Sequence, residues 1–469
     1  MKQQIKQIII ISVLLGVALI GLLVTILLEK KPEDESQIAN VLVNHTIDNI
    51  VEVSISNQND SYKVRKEGGG FLIEGLPMDL INPDYLLMLL QEASRIEYLE
   101  VVADNPDDLS VYGLAKPVAE VEVKYTDGTS IGLLLGEQES VSQNRYVMQM
   151  GQSQVLLKKN NQTIRFTMPL TDYFSLEIVP FSQTSSPLYA VRDITFSGTA
   201  LKEPIAIEAV TADKEQILRD ASSFGATTHI IRSPGLHEVD QKEAIAIFSS
   251  VVGLLNEKVL AYNCTDEELK EYGFDNPYLQ VEFDFVIAKD APPEKVKLRV
   301  VPYQDGYAIM RDDQRVVHLI REEAFLKVDY GKLVLRWFFS PLITDIARIE
   351  VDIDGNKNVF ELSGKTNKEL SATLDGQALD MQQFREYYTL LISASNDGEG
   401  LVSDQPLLDD KPIFTVTYEY KDKQKAPDVL QLYDAGSRKL YAKANGVTEF
   451  RMPRKYLEDV KAATTNFQN

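Results

Sequence analysis

The chain has 469 residues, too many for one ordinary core, and predicts two to four domains. Its 44% hydrophobic content excludes a disordered chain. A net charge of −22 argues against nucleic acid as a partner, and a single cysteine, Cys264, excludes an internal disulfide.

The first predicted element is Ile8–Leu28, IIIISVLLGVALIGLLVTILL, 21 residues without a charge. At ~1.5 Å per residue it spans roughly 30 Å, the hydrocarbon thickness of a bilayer. It exceeds the apolar run of about 7–15 residues found in cleaved signal peptides, and no small-x-small site follows. The expectation is a transmembrane signal anchor at 8–28, with residues 1–7 cytoplasmic and 29–45 a stalk. The short leader favours this orientation, with the cell membrane as a partner through 8–28, although the flanking lysines are nearly balanced. The bulk of the chain is then extracytoplasmic.

Beyond that run the chain repeats itself. Tyr112, Gly113, Pro117, Val121, Glu122 and Val123 align without gaps with Tyr272, Gly273, Pro277, Val281, Glu282 and Phe283, 160 residues later. A weaker third copy is KPIFTVTYEY (411–420), where Pro412 leads Val416, Tyr418 and Tyr420 but the Tyr-Gly is missing. The block reads as one helical turn, a glycine stop, and a proline ahead of an alternating strand. These seven residues, Tyr112, Gly113, Pro117, Tyr272, Gly273, Pro277 and Pro412, are expected to be structural.

About 35 residues before each proline stands a predicted helix. Asn82-Pro83 starts the first, and Asp240/Glu243 and Asp380/Gln383 read as capping boxes for the others. Alternating strands precede the helices at 49–55, 192–198 and 347–353. Three short strands follow each proline strand: 131–135, 146–150 and 155–157; 296–301, 307–310 and 316–320; 429–433, 439–442 and 448–451. Asp127-Gly128, Asp305-Gly306 and Asn445-Gly446 mark turns, and Gly68-Gly69-Gly70 fits a hairpin, since no phosphate-loop pattern surrounds it. Each copy reads as ββ-α-ββββ. The fold class expected is therefore α+β: a transmembrane helix, then three tandem repeats with mostly antiparallel sheets, at 46–180, 188–341 and 343–466.

The pattern D/E-L-x-x-Y-G-[LF]-x-x-P followed by an alternating strand resembles one bacterial family, the domain of unknown function 4340 family. It is clearest over 109–136 and 269–285, and the third copy departs from it. The resemblance implies a single-span envelope protein, often encoded beside ABC-type transporters, including those named for gliding motility. It carries over no catalytic residue.

Residues that could carry chemistry are sparse. His45, His229, His237 and His318 lack a second histidine or cysteine at metal-ligand spacing. Neither G-x-S-x-G nor S-x-x-K is present. Acidic pairs such as Asp107-Asp108, Asp312-Asp313 and Asp409-Asp410 are uninformative among 70 carboxylates. Asp352–Asn356 places its glycine fourth rather than sixth, so a hairpin turn fits better than a calcium loop. Tyr112 and Tyr272 are expected to pack on the sheet and bond their hydroxyls to backbone. Trp337-Phe338-Phe339 at a joint is expected to form a buried interdomain wedge, the alternative being an exposed contact patch for a partner. No catalytic residue, metal ligand or cofactor is expected.

The reading is a non-enzymatic interaction protein with no nucleic-acid partner, an accessory or subunit of an ABC-type transporter complex. The alternatives are an envelope glycan- or ligand-binding protein and a hydrolase, which would need convergent polar groups in one pocket.

Overall fold

A computed structural model describes residues 40–210, 228–399, 408 and 411–467. The chain folds as two compact units divided between Ser175 and Leu176. The first unit holds strands β1 (Asn40–Asn44), β2 (Ile50–Asn57), β3 (Ser61–Glu67), β4 (Gly70–Ile73), β5 (Arg95–Tyr98), β6 (Glu100–Ala103), β7 (Ala119–Tyr125), β8 (Ser130–Gln138), β9 (Arg145–Gln149) and β10 (Val155–Lys158), with helix α1 (Pro83–Ser94).

The second unit contains two lobes. One holds β11 (Val191–Ser197), β12 (Ile205–Ala209), β13 (His229–Ser233), β14 (His237–Glu238), β15 (Lys258–Ala261), β16 (Leu279–Phe285), β17 (Glu294–Tyr303), β18 (Gly306–Arg311) and β19 (Val317–Ile320), with helices α2 (Gln241–Val251) and α3 (Asp266–Tyr272). The other holds β20 (Ile346–Ile353), β21 (Asn356–Ser363), β22 (Ser371–Leu374), β23 (Gln377–Ala378), β24 (Phe414–Tyr420), β25 (Asp428–Asp434), β26 (Lys439–Ala444) and β27 (Val447–Pro453), with α4 (Met381–Leu391) and α5 (Arg454–Thr465).

One strand order runs through all three lobes: β3-β2-β7-β8-β9-β10, β12-β11-β16-β17-β18-β19 and β21-β20-β24-β25-β26-β27. The register shifts at the start of the first strand each time, between Ile50 and Glu52, Val191 and Ile194, and Ile346 and Arg348. Such a bulge bends the strand, and its recurrence is a shared construction detail. The proline strand is central, and its alternating residues are buried on one side, as in AEVEVKY and LQVEFDF.

Each sheet packs its main helix through an apolar stripe. Leu86, Leu89, Leu90 and Ala93 are buried on α1; Ala244, Ile247, Phe248 and Val251 on α2; Phe384, Tyr387, Tyr388 and Leu391 on α4. Asn82, Asp240 and Asp380 each accept a backbone N–H of the first turn. At Asp240 and Asp380 only this half of the expected capping box forms. A complete box forms at Thr265 and Glu268, opening α3.

The α+β assignment is corrected by these proportions. About 41% of the described residues are strand and 22% helix, in four antiparallel sheets, so the fold is mostly β. Among the described residues the first two lobes each set one long helix, and the third two, against sheets of eight or nine strands, and several of the other helices are single turns. Much of the additional strand content lies in segments without a strong alternation: β5 runs on directly from α1, β6 and β15 are four-residue strands, and β4, β14 and β23 are short edges. The expected membrane-spanning helix is corrected with it: among the described residues no helix is long and apolar enough to cross a membrane. Residues 8–28 and most of the stalk lie outside the described residues.

Several turns form as the dipeptides suggest. Gly68-Gly69, Asp354-Gly355 and Asn445-Gly446 are two-residue hairpin turns with positive φ at both positions. Asp305-Gly306 is displaced by one: Gly306 already pairs with Tyr303, so Gln304-Asp305 makes the turn.

Candidate functional site

The repeated motif builds the same corner twice. Asp108 accepts the Ser110 N–H at 2.8 Å, Leu109–Tyr112 makes one turn, and Gly113 ends it at φ 67°. In the second lobe α3 ends at Gly273, φ 95°. The next residue, Leu114 or Phe274, turns back to bond the Leu109 or Leu269 carbonyl and buries its side chain. Pro117, Pro277 and Pro412 each stand two residues ahead of β7, β16 and β24. The Tyr112 ring packs edge-on against Tyr146 at 5.1 Å, and Tyr272 lies between Phe274 and Tyr303 at 6.0 and 5.7 Å. Neither hydroxyl makes the expected backbone bond among the described residues. None of these seven residues lines a cavity described below.

The four histidines are dispersed. His45 lies 3.7 Å from Asp127 and against the Tyr125 ring. His237 bonds Glu449, joining the two lobes of the second unit, beside the Tyr330–Phe450 stack. His318 is buried in β19 with both ring nitrogens unpartnered, and burial pushes its pKa down to about 4. Among the described residues no three His, Cys, Asp or Glu side chains are grouped to hold a metal. Cys264 is buried in a small apolar cluster beneath α3, and that burial raises its thiol pKa.

The aromatic joint differs from the expected wedge. Phe338 and Phe339 pack against the lobe cores, but Trp337 is 55% exposed. Its backbone bridges to Ser395, which points its ring over a groove also lined by Pro341, Leu342, Tyr388 and Ile392. Leu342 beside it is 63% exposed.

The second lobe contains a cavity of about 820 Å³. One wall is the segment before β11. Gln183 N–H donates to the Ile287 carbonyl at 2.7 Å, and Ser182 Oγ donates to the Val286 carbonyl at 2.8 Å. Val286 N–H in turn donates to Ala190, so this wall is tied to the end of β16. Behind it, buried His229 holds the Val191 carbonyl at 3.0 Å through Nε2 and Thr228 Oγ1 at 3.1 Å through Nδ1. Leu188, Ala209, Val210 and Val286 give apolar lining, and Gln183, Thr184 and Ser185 give polar lining. Tyr189, Arg192 and Lys289 complete it, and no Asp or Glu is among the described lining residues.

The repeat bounds left 181–187 between the first two copies, and sequence reasoning missed this site. A signal was present: Ile178 to Arg192 carries no acidic residue in a strongly acidic chain. What brings Lys289 to the same place is the β11–β16 pairing, with Val191 opposite Phe285, which is not written in either segment.

No curated protein and no solved structure matches the chain. Residues 77–277, spanning α1 through the second copy of the Tyr-Gly-Pro corner, match the family described as "Domain of unknown function (DUF4340)", and this chain carries that family's domain.

Proposed function

We propose that the chain is a non-enzymatic interaction protein acting outside the cytoplasm, as an accessory or subunit of an ABC-type transporter complex. The observation that carries this reading is Trp337. It is the chain's sole tryptophan, and it is more than half exposed beside exposed Leu342 at a joint between two lobes. A large aromatic ring held rigidly in solvent, with an apolar groove beside it, has the composition of a protein-contact hot spot. The partner is an extracytoplasmic part of an integral-membrane transporter subunit.

The tagged full chain, recovered from mildly solubilised native membranes, tests this. The expected result is co-recovery of the transporter's membrane subunit, at least tenfold reduced by Trp337→Ala and by Leu342→Lys. Absence of any transport partner, or recovery indifferent to both variants, overturns the reading.

A second reading, an envelope ligand-binding protein, is favoured by the cavity in the second lobe. A hydrolase at that site has less support, because catalytic carboxylates are missing from its described lining.

A further inference from the structure

The geometry points to the second-lobe cavity as a binding site for an organic anion with an apolar body, held by Arg192 and Lys289. This deepens the ligand-binding reading and is independent of a transporter partner. Three observations converge. First, acidic residues outnumber basic ones by 70 to 48 in the chain, yet the described lining has two cations and no carboxylate.

Second, neither cation is in an ion pair among the described residues, whereas the neighbouring Arg232 pairs with Glu208 at 3.5 Å and Lys295 with Asp284 at 3.0 Å. What distinguishes Arg192 and Lys289 is their place: both line the same cavity, with no carboxylate among its described lining residues. Third, the lining is amphiphilic. Leu188, Val286 and the Tyr189 ring offer apolar surface beside the charges, and a site that pairs apolar walls with a few fixed polar groups selects a ligand having both. A bare inorganic anion would use only the charges. A neutral apolar molecule would leave them unpaired.

The wall before β11 is held without a ligand. Ser182 and Gln183 tie it to the residues after β16, and His229 holds the Val191 carbonyl behind it, so this wall need not order on binding. Arg192 lies on β11 and Lys289 just beyond β16, strands paired in one sheet, which holds the two charges on one framework.

The test uses the folded full chain and 1-anilinonaphthalene-8-sulfonate, an aromatic anion whose fluorescence reports burial, against its uncharged analogue N-phenyl-1-naphthylamine. Saturable binding of the sulfonate is expected, at least tenfold tighter than the neutral analogue and weakened by added salt. Arg192→Ala/Lys289→Ala should weaken it at least tenfold, Arg192→Lys less than Arg192→Ala, and Arg232→Ala not at all. Non-saturable binding, equal affinity for the neutral probe, or indifference to the double variant at unchanged thermal stability would each overturn the site. Failure here leaves the Trp337 contact untouched, and loss of the transporter partner leaves this titration unchanged.

Discussion

The first and second lobes solve one packing problem with opposite choices. Their last long-range strands align as VLLK (155–158) and VHLI (317–320), with Val155 opposite Met148 and Val317 opposite Met310. Where the first lobe buries Leu156, the second buries His318; where the second buries Ile320, the first buries Lys158. The corner glycines differ as well. A Cβ on Gly113 would lie 2.5 Å from Glu137 Cγ and 2.7 Å from its backbone nitrogen, whereas one on Gly273 meets only Val301 at 3.8 Å. A shared strand order therefore leaves room for different polar groups and tolerances at matching positions.

The largest expected effect separates the two corners. Both glycines have positive φ, which costs an L-residue roughly 1–2 kcal/mol. Gly113→Ala adds a collision with backbone, for a total of about 4 kcal/mol, while Gly273→Ala costs about 1–2 kcal/mol. Denaturant unfolding of each variant reads the difference. Equal losses would mean the β8 bulge beside Glu137 gives way, and the two corners are mechanically alike after all.

His318 comes next. Its pKa falls from an ordinary 6.5 to about 4 because burial without a partner penalises the imidazolium. A depressed folded pKa keeps the ring neutral, so its stabilising effect is complete above pH 6.5 and is lost as pH falls through the window from 6.5 to about 4. The loss reaches roughly 3 kcal/mol. His318→Leu, the choice made at Leu156, should flatten the profile in that window and add about 1 kcal/mol at pH 7 by removing two unsatisfied ring nitrogens. An unchanged slope in the difference between the two profiles would refute this.

Lys158 gives a smaller contrast. Its ammonium donates to the Glu97 carbonyl at 3.1 Å and to Gln162 at 3.3 Å, and it lies 3.8 Å from Glu92. Burial lowers the lysine pKa and raises that of Glu92, so desolvation outweighs attraction at both ends. Lys158→Met alone leaves a carboxylate and a carbonyl poorly satisfied, and should cost about 2 kcal/mol; adding Glu92→Leu should recover most of it. A double variant as unstable as the single one would show that Gln162 and Glu97 carry the effect.

The sequence made the repeat legible because its signals are local. The Tyr-Gly corner, the proline two residues ahead of an alternating strand, and the Asx helix caps all act within a few residues. The proportion of strand was harder to read: β5 follows α1 without any turn residue, and the edges β4, β14 and β23 are only two to four residues long, too short to show an alternation. Helix α5 also escaped notice, since its cap position is Pro453 with no side-chain acceptor. The cavity was the least legible feature, because Arg192 and Lys289 meet only through strand pairing.

The smallest expected effect tests the motif tyrosines. A hydroxyl bonded to buried backbone would make Tyr→Phe cost about 1 kcal/mol or more. Neither Tyr112 nor Tyr272 has such a partner among the described residues, and each ring instead contacts other aromatics. Tyr112→Phe and Tyr272→Phe should therefore each shift stability by less than about 0.5 kcal/mol, while Tyr112→Ala and Tyr272→Ala forfeit the aromatic contacts, worth about 0.5–1.5 kcal/mol beyond lost area. Equal and substantial losses for Phe and Ala would show that the hydroxyl, not the ring, is what the repeated corner requires.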